Sequence, residues 1–356
     1  MSGEDRNSQT SLPEPLVEVK RGPVTESRHY GHVIAVDGDG RAVAQLGAPE
    51  KVTYLRSSAK PFQAVPLITT GAAARFQFSA QEIAIACGSH NGDPVHTETV
   101  AGMLRKIGLN DTALKCGTHE PYSPEAAREL RERQEKPNIL QNNCSGKHAG
   151  MLALALHLGA EISTYDQQNH PVQLAVARAV AQFTGLSLKS IAVGIDGCGV
   201  PVHGVPLRAM AVMYSRLVLP PASFDDRTRA ACERIVSAMT AHPEMIGGET
   251  ESLDTALMRA VPGTLIAKAG AEGLFTAGVL PCEKWPRGLG LALKIEDGDK
   301  GSRARRPAAV EALRQLGVLP ENALGALSSY ARLPVRSHRG ETVGETAASF
   351  ALDRFA

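Results

Sequence analysis

Val33-Ile34-Ala35-Val36, then Asp37-Gly38-Asp39-Gly40, then Ala42-Val43-Ala44-Gln45-Leu46 reads as strand, tight turn and strand. Asp and Gly supply the positive φ angles that a hairpin turn demands. Beyond it, from about Pro61 to His170, the pattern becomes mostly helical, with apolar residues at helical spacing over 80–87, 94–107 and 150–157. Residues 172–183 continue this character. Residues 204–218 and 226–241 predict two more helices, the second amphipathic through Ala230, Ile235, Val236 and Met239. Within this region only Ile191-Ala192-Val193 is strand-like. Strands return late, at 264–268, Leu274–Val279 and 288–295, and a helix is expected over 308–316. Strands at both ends with helices between predict a mixed α/β (α+β) protein whose terminal segments share one sheet. Residues 1–15, polar with little to bury, read as a flexible tail. Residues 16–356 form a single unit, with 16–60 and about 260–356 as its sheet part and about 61–259 as its helical part.

Composition excludes several kinds of function. Hydrophobic residues make up 43% of the 356 and charged residues 21%, which rules out wholesale disorder. Lys plus Arg (38) against Asp plus Glu (37) leaves +1, so there is no bulk basic field for nucleic acid or an anionic membrane. Aromatic residues at 4% are too few for base-stacking platforms. No stretch approaches the roughly 18 uninterrupted apolar residues of a spanning helix, and the polar N-terminus lacks the apolar core of a signal peptide. The expected location is the cytoplasm, where the six cysteines stay reduced.

Arg56-Ser57-Ser58-Ala59-Lys60-Pro61 carries the chemistry. Ser57 and Lys60 are three positions apart and face the same way on a helical turn. A Ser hydroxyl is a poor nucleophile until a base takes its proton, and a desolvated Lys near other cations can be neutral enough to do so. Pro61 fits if the helix begins near Lys60. By itself the pair also fits a solvated helix start. Two further segments occur in the order that Ser-x-x-Lys hydrolases require. Gly88-Ser89-His90-Asn91 follows an apolar helix, and Lys268-Ala269-Gly270 ends a late strand. Lys268 would place positive charge beside Ser89. The strand backbone and Ser57 would supply the N–H groups of an oxyanion hole.

Asn143-Cys144-Ser145-Gly146-Lys147-His148 opens a helix, and Asp196-Gly197-Cys198-Gly199 is a glycine-flanked loop after a strand-like run. Cys144 and Cys198 could share a soft metal such as zinc, or be buried structural thiols; there is no Cys-x-x-Cys pair to decide.

Together these segments resemble the rhizobial-type (class 3) L-asparaginases of the asparaginase II family. The resemblance is carried by Arg56-Ser-Ser-Ala-Lys-Pro61, Cys87-Gly-Ser-His90, Asn143-Cys-Ser-Gly-Lys-His148, Gly150-Met-Leu152 and Asp196-Gly-Cys198. His242-Pro-Glu-Met245, Gly248-Glu249, Lys268-x-Gly270 and Lys294-Ile-Glu-Asp-Gly298 extend it. It implies a serine β-lactamase/glutaminase-like fold, with an antiparallel sheet from N- and C-terminal strands and a central helical region. It also implies hydrolysis of L-asparagine to L-aspartate and ammonia by two Ser-Lys tandems, Ser57 with Lys60 and Ser89 with Lys268. The resemblance further implies one substrate-orienting zinc ion per chain on Cys144, Lys147 and Cys198, and a homodimer. Where some relatives carry a cysteine, this chain has Asp254, and Ala269 leaves its third motif without a hydroxyl.

A zwitterionic substrate needs a cation for its α-carboxylate and an anion for its α-ammonium. Arg56 and Asp196 are the candidates, with His90 beside them; a structural salt bridge, a turn-capping Asp and a buried structural His are the alternatives. Competing functions are a glutaminase or penicillin-recognising acylase on the same fold, and a zinc-stabilised binding protein without turnover.

Overall fold

The structure, a computed structural model, describes residues 12–355. From the N-terminus come β1 (Glu14–Arg21), β2 (Val24–Asp37) and β3 (Ala42–Leu46). Short strands β4 (Val52–Tyr54), β5 (Ala192–Ile195) and β6 (Pro201–Pro206) lie among the helices. The C-terminal set is β7 (Leu265–Gly270), β8 (Leu274–Val279), β9 (Leu289–Ile295), β10 (Arg332–Arg336), β11 (Thr342–Ala348) and β12 (Asp353–Arg354).

The expected hairpin is present. Asp37 Oδ1 accepts from the backbone N–H groups of Asp39 and Arg41, at 2.8 and 3.0 Å, which folds β2 back onto β3. β2 then pairs on its other side with β9, Ile34 opposite Ala292, so the two ends of the chain meet in one antiparallel sheet. That sheet has nine strands in the order β10-β11-β1-β2-β9-β8-β7, with β3 attached to β2 and β12. Its centre is apolar on both faces: Val33 to Val36 and Leu289, Leu291 and Leu293 are wholly buried. Burying each such Val or Leu contributes roughly 1.5–3 kcal/mol. The mixed α/β class, with strands from both termini around a helical region, is therefore the observed one.

Three expectations shift in detail. Residues 1–11 of the proposed tail lie outside the described residues, whereas Glu14 and Pro15 already belong to β1, facing Gly31 and Tyr30. Residues 204–206 belong to β6, because β4 and β5 pair on either side of it, and the helix Leu207–Val218 starts only after Pro206. A second, three-stranded sheet thus joins β4, from residues 16–60, to β5 and β6 of the helical part. The late helix runs over Arg305–Gln315, beginning three residues earlier than its periodicity predicts.

Candidate active site

The first site element is a forced turn. Arg56 has φ +46, a left-handed conformation uncommon for a residue with a side chain. The 3-10 turn Arg56–Ala59 follows and runs directly into the helix Lys60–Thr69, with Pro61 in its first turn, where a missing N–H costs nothing. This turn is fastened to β7 through one carbonyl. Lys268 O accepts from Ser58 Oγ at 3.2 Å and from Thr276 Oγ1 at 2.8 Å. Ser57 is left bordering a cavity of about 390 Å³.

The second element is set by close backbone approach. The helix Ala80–Cys87, opened by a capping box between Ser79 and Glu82, ends at Gly88. A Cβ on Gly88 would lie 2.2 Å from Met245 O, so only glycine lets the chain pass there. The next residue, Ser89, donates its N–H to Ile246 O at 2.8 Å. A Cβ on Gly146 would likewise meet Ile85 O at 2.5 Å, which lets the helix Ser145–His157 bring Asn143 against the same point.

Lys60 ends between these segments. Its wholly buried Nζ lies 2.6 Å from Gly88 O, 2.9 Å from Ser89 Oγ and 2.9 Å from Asn143 O. Three partners match the three N–H bonds of an ammonium. Burial, reinforced by Lys147 and Lys268, lowers its pKa from 10.5 to about 8. The side chain that Lys60 touches is Ser89, not Ser57.

Lys268 is also paired otherwise than expected. Its Nζ lies 3.3 Å from Asp254 Oδ2 and 3.0 Å from Ala269 O. Burial lowers its pKa, with Asp254 working the other way. Asp254 sits in the first turn of the helix Leu253–Ala260, and its Oδ2 also accepts the Ala269 N–H at 2.8 Å. That strand N–H is therefore taken and is not a free oxyanion donor. The two expected Ser-Lys pairings are replaced by Lys60 with Ser89 and Lys268 with Asp254. Ser57, Ser89, Asn143, Asp254, Lys268 and Arg305 all border the one cavity.

Arg56 and Asp196 are bound to each other, Nε to Oδ1 at 2.8 Å, with Lys147 Nζ 3.8 Å from Asp196 Oδ2. They form a salt bridge, and neither is among the residues bordering the cavity. His90 is wholly buried. Its Nε2 lies 2.9 Å from Ser145 Oγ and its Nδ1 accepts the Gly92 N–H at 3.2 Å. Both ring nitrogens are used, burial holds the ring well below the usual imidazole range, and His90 is not among the residues bordering the cavity.

Cys144, Lys147 and Cys198, the expected metal ligands, do converge. The two thiols share a hydrogen bond, which together with Lys147 and Lys60 outweighs burial and takes Cys144 well below the usual thiol value. Cys198 is pushed up by the same bond and by burial. Burial opposes the charge on Lys147, but Cys144, Cys198 and Asp196 outweigh it and raise its pKa. Two buried thiols and an amine are a donor set suited to a soft ion. None of the three borders the cavity, and among the described residues no group of three or more His, Cys, Asp or Glu is arranged to hold a metal. Nor is any helix there long and apolar enough to cross a membrane.

Ser57, Ser89 and Lys268 thus border one polar cavity, with Lys60 hydrogen-bonded to Ser89 behind it. The chain belongs to the L-asparaginase II family, whose sequence model matches residues 17–348, and it is accordingly an amidohydrolase. No curated protein sequence matches it. Among solved structures it is similar to a probable glutaminase from Bacillus subtilis complexed with 6-diazo-5-oxo-L-norleucine, at 11% identity and a TM-score of 0.38, covering 81% of this chain and 85% of that one. It is also similar to a β-lactamase from Burkholderia ambifaria, at 17% identity and a TM-score of 0.37, covering 80% and 95%. A third likeness is to the carbapenemase VCC-1 from Vibrio cholerae, at 15% identity and a TM-score of 0.33, covering 76% and 87%.

Sequence reasoning missed Ser58, which fastens the turn, and Arg305, which borders the cavity. It noticed Asp254 only as a departure from relatives. The serine doublet at 57–58 was the one available signal for Ser58.

Proposed function

We propose that this amidohydrolase acts on L-asparagine, releasing ammonia and L-aspartate through a serine acyl-enzyme. The observation that carries the reading is Lys60, wholly buried and in contact with Ser89 at the edge of the cavity that Ser57 borders. A pKa of about 8 leaves roughly a tenth of Lys60 neutral at pH 7, enough for a general base. In this reading the Ser57 hydroxyl attacks the side-chain amide carbon, and its proton passes to neutral Lys60 by way of Ser89. The same proton returns through Ser89 to the leaving nitrogen as the C–N bond breaks. Water then adds to the β-aspartyl ester and the Ser57 C–O bond breaks, restoring the hydroxyl. For the oxyanion we assign the backbone N–H groups of Ser57 and Ala271, both residues bordering the cavity, because Asp254 occupies that of Ala269.

Zinc is part of the proposal at the cluster whose donors fit it. Cys144, Lys147 and Cys198 would hold the ion, which when bound supplies a fixed positive charge behind Asn143. Lys147 must lose its proton to become a ligand. No protein step above depends on it.

The test is ammonia release from asparagine and from glutamine by the wild-type, Ser57→Ala and Ser89→Ala proteins. The expected result is preference for asparagine and loss of turnover in both variants. Near-wild-type activity in Ser57→Ala would overturn the nucleophile assignment, and preference for glutamine would overturn the substrate.

A further inference from the structure

The inner wall of the cavity holds two opposite charges that lack a full set of partners. Asp254 is almost wholly buried, and its Oδ2 is occupied by Ala269 N–H and Lys268 Nζ. Its second oxygen, Oδ1, is buried with no hydrogen-bond partner among the described residues. Arg305 donates from one terminal nitrogen to Gly270 O at 2.7 Å and from the other to Ser302 Oγ at 3.1 Å. Its Nε is buried and unpartnered as well. Both residues border the cavity into which Ser57 and Ser89 also face. A buried carboxylate oxygen or guanidinium N–H left unsatisfied is costly, and such groups in native sites are ordinarily completed by a ligand or by water.

We propose that Asp254 and Arg305 are the clamp for the substrate's α-carbon, Asp254 receiving the α-ammonium and Arg305 the α-carboxylate. The inference rests on the reading that the substrate is a free α-amino acid bearing a side-chain amide. Asparagine carries both charges on one carbon, so a single anion and a single cation on the same wall suffice to hold it. Lys268, fixed to the far oxygen of Asp254, adds to the positive side of the clamp. The torsion of a carboxylate about Cβ–Cγ is soft, so Oδ1 and Oδ2 can adjust as the ligand enters. Arg56 and Asp196 are not given the role because neither borders the cavity and they pair with each other at 2.8 Å.

The experiment compares kcat/KM for asparagine, for succinamate (hydrogen in place of the α-ammonium) and for 3-aminopropanamide (hydrogen in place of the α-carboxylate). The proteins are the wild type, Asp254→Asn and Arg305→Gln. Losing a charge-assisted contact should lower asparagine turnover about tenfold or more. Asp254→Asn should lower asparagine turnover about tenfold or more beyond any loss on succinamate, and Arg305→Gln should lower it about tenfold or more beyond any loss on 3-aminopropanamide. An equal loss on all three substrates, or no loss, overturns the clamp. If Arg305→Gln does not fold, Arg305→Met, which also removes the charge, replaces it with the same selective pattern expected. Calorimetry separates this inference from the function on which it rests. Wild-type protein should bind L-aspartate about tenfold or more tighter than succinate, and Asp254→Asn should lose that preference. A wild type that turns over no amide sinks the asparaginase reading. A wild type that does not distinguish aspartate from succinate sinks the clamp.

Discussion

Lys60 Nζ lies 2.9 Å from Ser89 Oγ, a side chain 29 positions further along the sequence, while Ser57 sits one helical turn before Lys60 and outside its three contacts. The proposed base is thus held by Gly88, Ser89 and Asn143, and Ser89 links it to the cavity. Replacing Lys60 by Met should lower kcat by about 10²–10⁴, the usual worth of a positioned general base. KM should change little, since Lys60 lies behind the serines. A steady-state comparison on asparagine checks this, and a loss confined to KM would contradict the role.

The pH dependence follows from the same group. Burial lowers Lys60 from 10.5 to about 8, so its base form gains population as pH rises towards 8 and saturates above it. The expected kcat/KM profile rises with unit slope in log form below about pH 8 and then levels. A profile flat between pH 6 and 9 would contradict a neutral lysine base. The stability consequence has a definite sign. Because the folded pKa lies below the unfolded one, the unfolded chain binds more protons between about 8 and 10.5, and this group's contribution to stability rises with pH across that window.

Ser58 holds the nucleophile turn to β7 through Lys268 O. Ser58→Ala removes one buried hydrogen bond and leaves that carbonyl with Thr276 alone. The expected cost is about 1 kcal/mol in denaturant unfolding, with a drop in kcat as the turn loosens. An unchanged unfolding midpoint would show that the bond is not maintained in solution.

Gly88→Ala should be far more damaging. Its new methyl would lie 2.2 Å from Met245 O, a backbone atom, so the strain cannot be relieved by a side-chain rotation. Overpacking of this kind costs typically about 1–3 kcal/mol. It also displaces Ser89, so activity should fall even at temperatures where the variant is folded.

What could be read from the sequence divides along physical lines. The β2–β3 hairpin was legible because Asp37 and Gly40 mark their own turn, and β7, β8 and β9 because their apolar runs are continuous. β1 and β10 were not. Their apolar alternation is short, Val17 and Val19 about Glu18 and Leu333 and Val335 about Pro334, set among charges such as Arg332 and Arg336, and pairing with neighbouring strands completes them. In the site, the identities of Ser57, Lys60, Ser89 and Lys268 were legible as motifs. Their partners were not, because contacts between distant segments depend on how closely backbones pass at Gly88 and Gly146. Asp254 and Arg305 lie outside the motifs and declare themselves only through unsatisfied atoms.

The zinc proposal predicts about one equivalent of zinc in protein purified without chelator, and its loss from the Cys198→Ala variant, by elemental analysis. Cys232→Ala, a buried thiol away from the cluster, should retain the metal. Wild-type protein free of zinc after growth with the metal would remove that part of the account.

The central claim is a covalent ester on a serine during asparagine hydrolysis. Mass spectrometry of enzyme quenched in acid during turnover, followed by digestion, tests it directly. The account predicts a peptide containing Ser57 heavier by one aspartyl group, absent from the Ser57→Ala protein. An adduct on the Ser89 peptide alone would contradict the account, as would turnover that leaves both serine peptides unmodified under conditions that trap the intermediate.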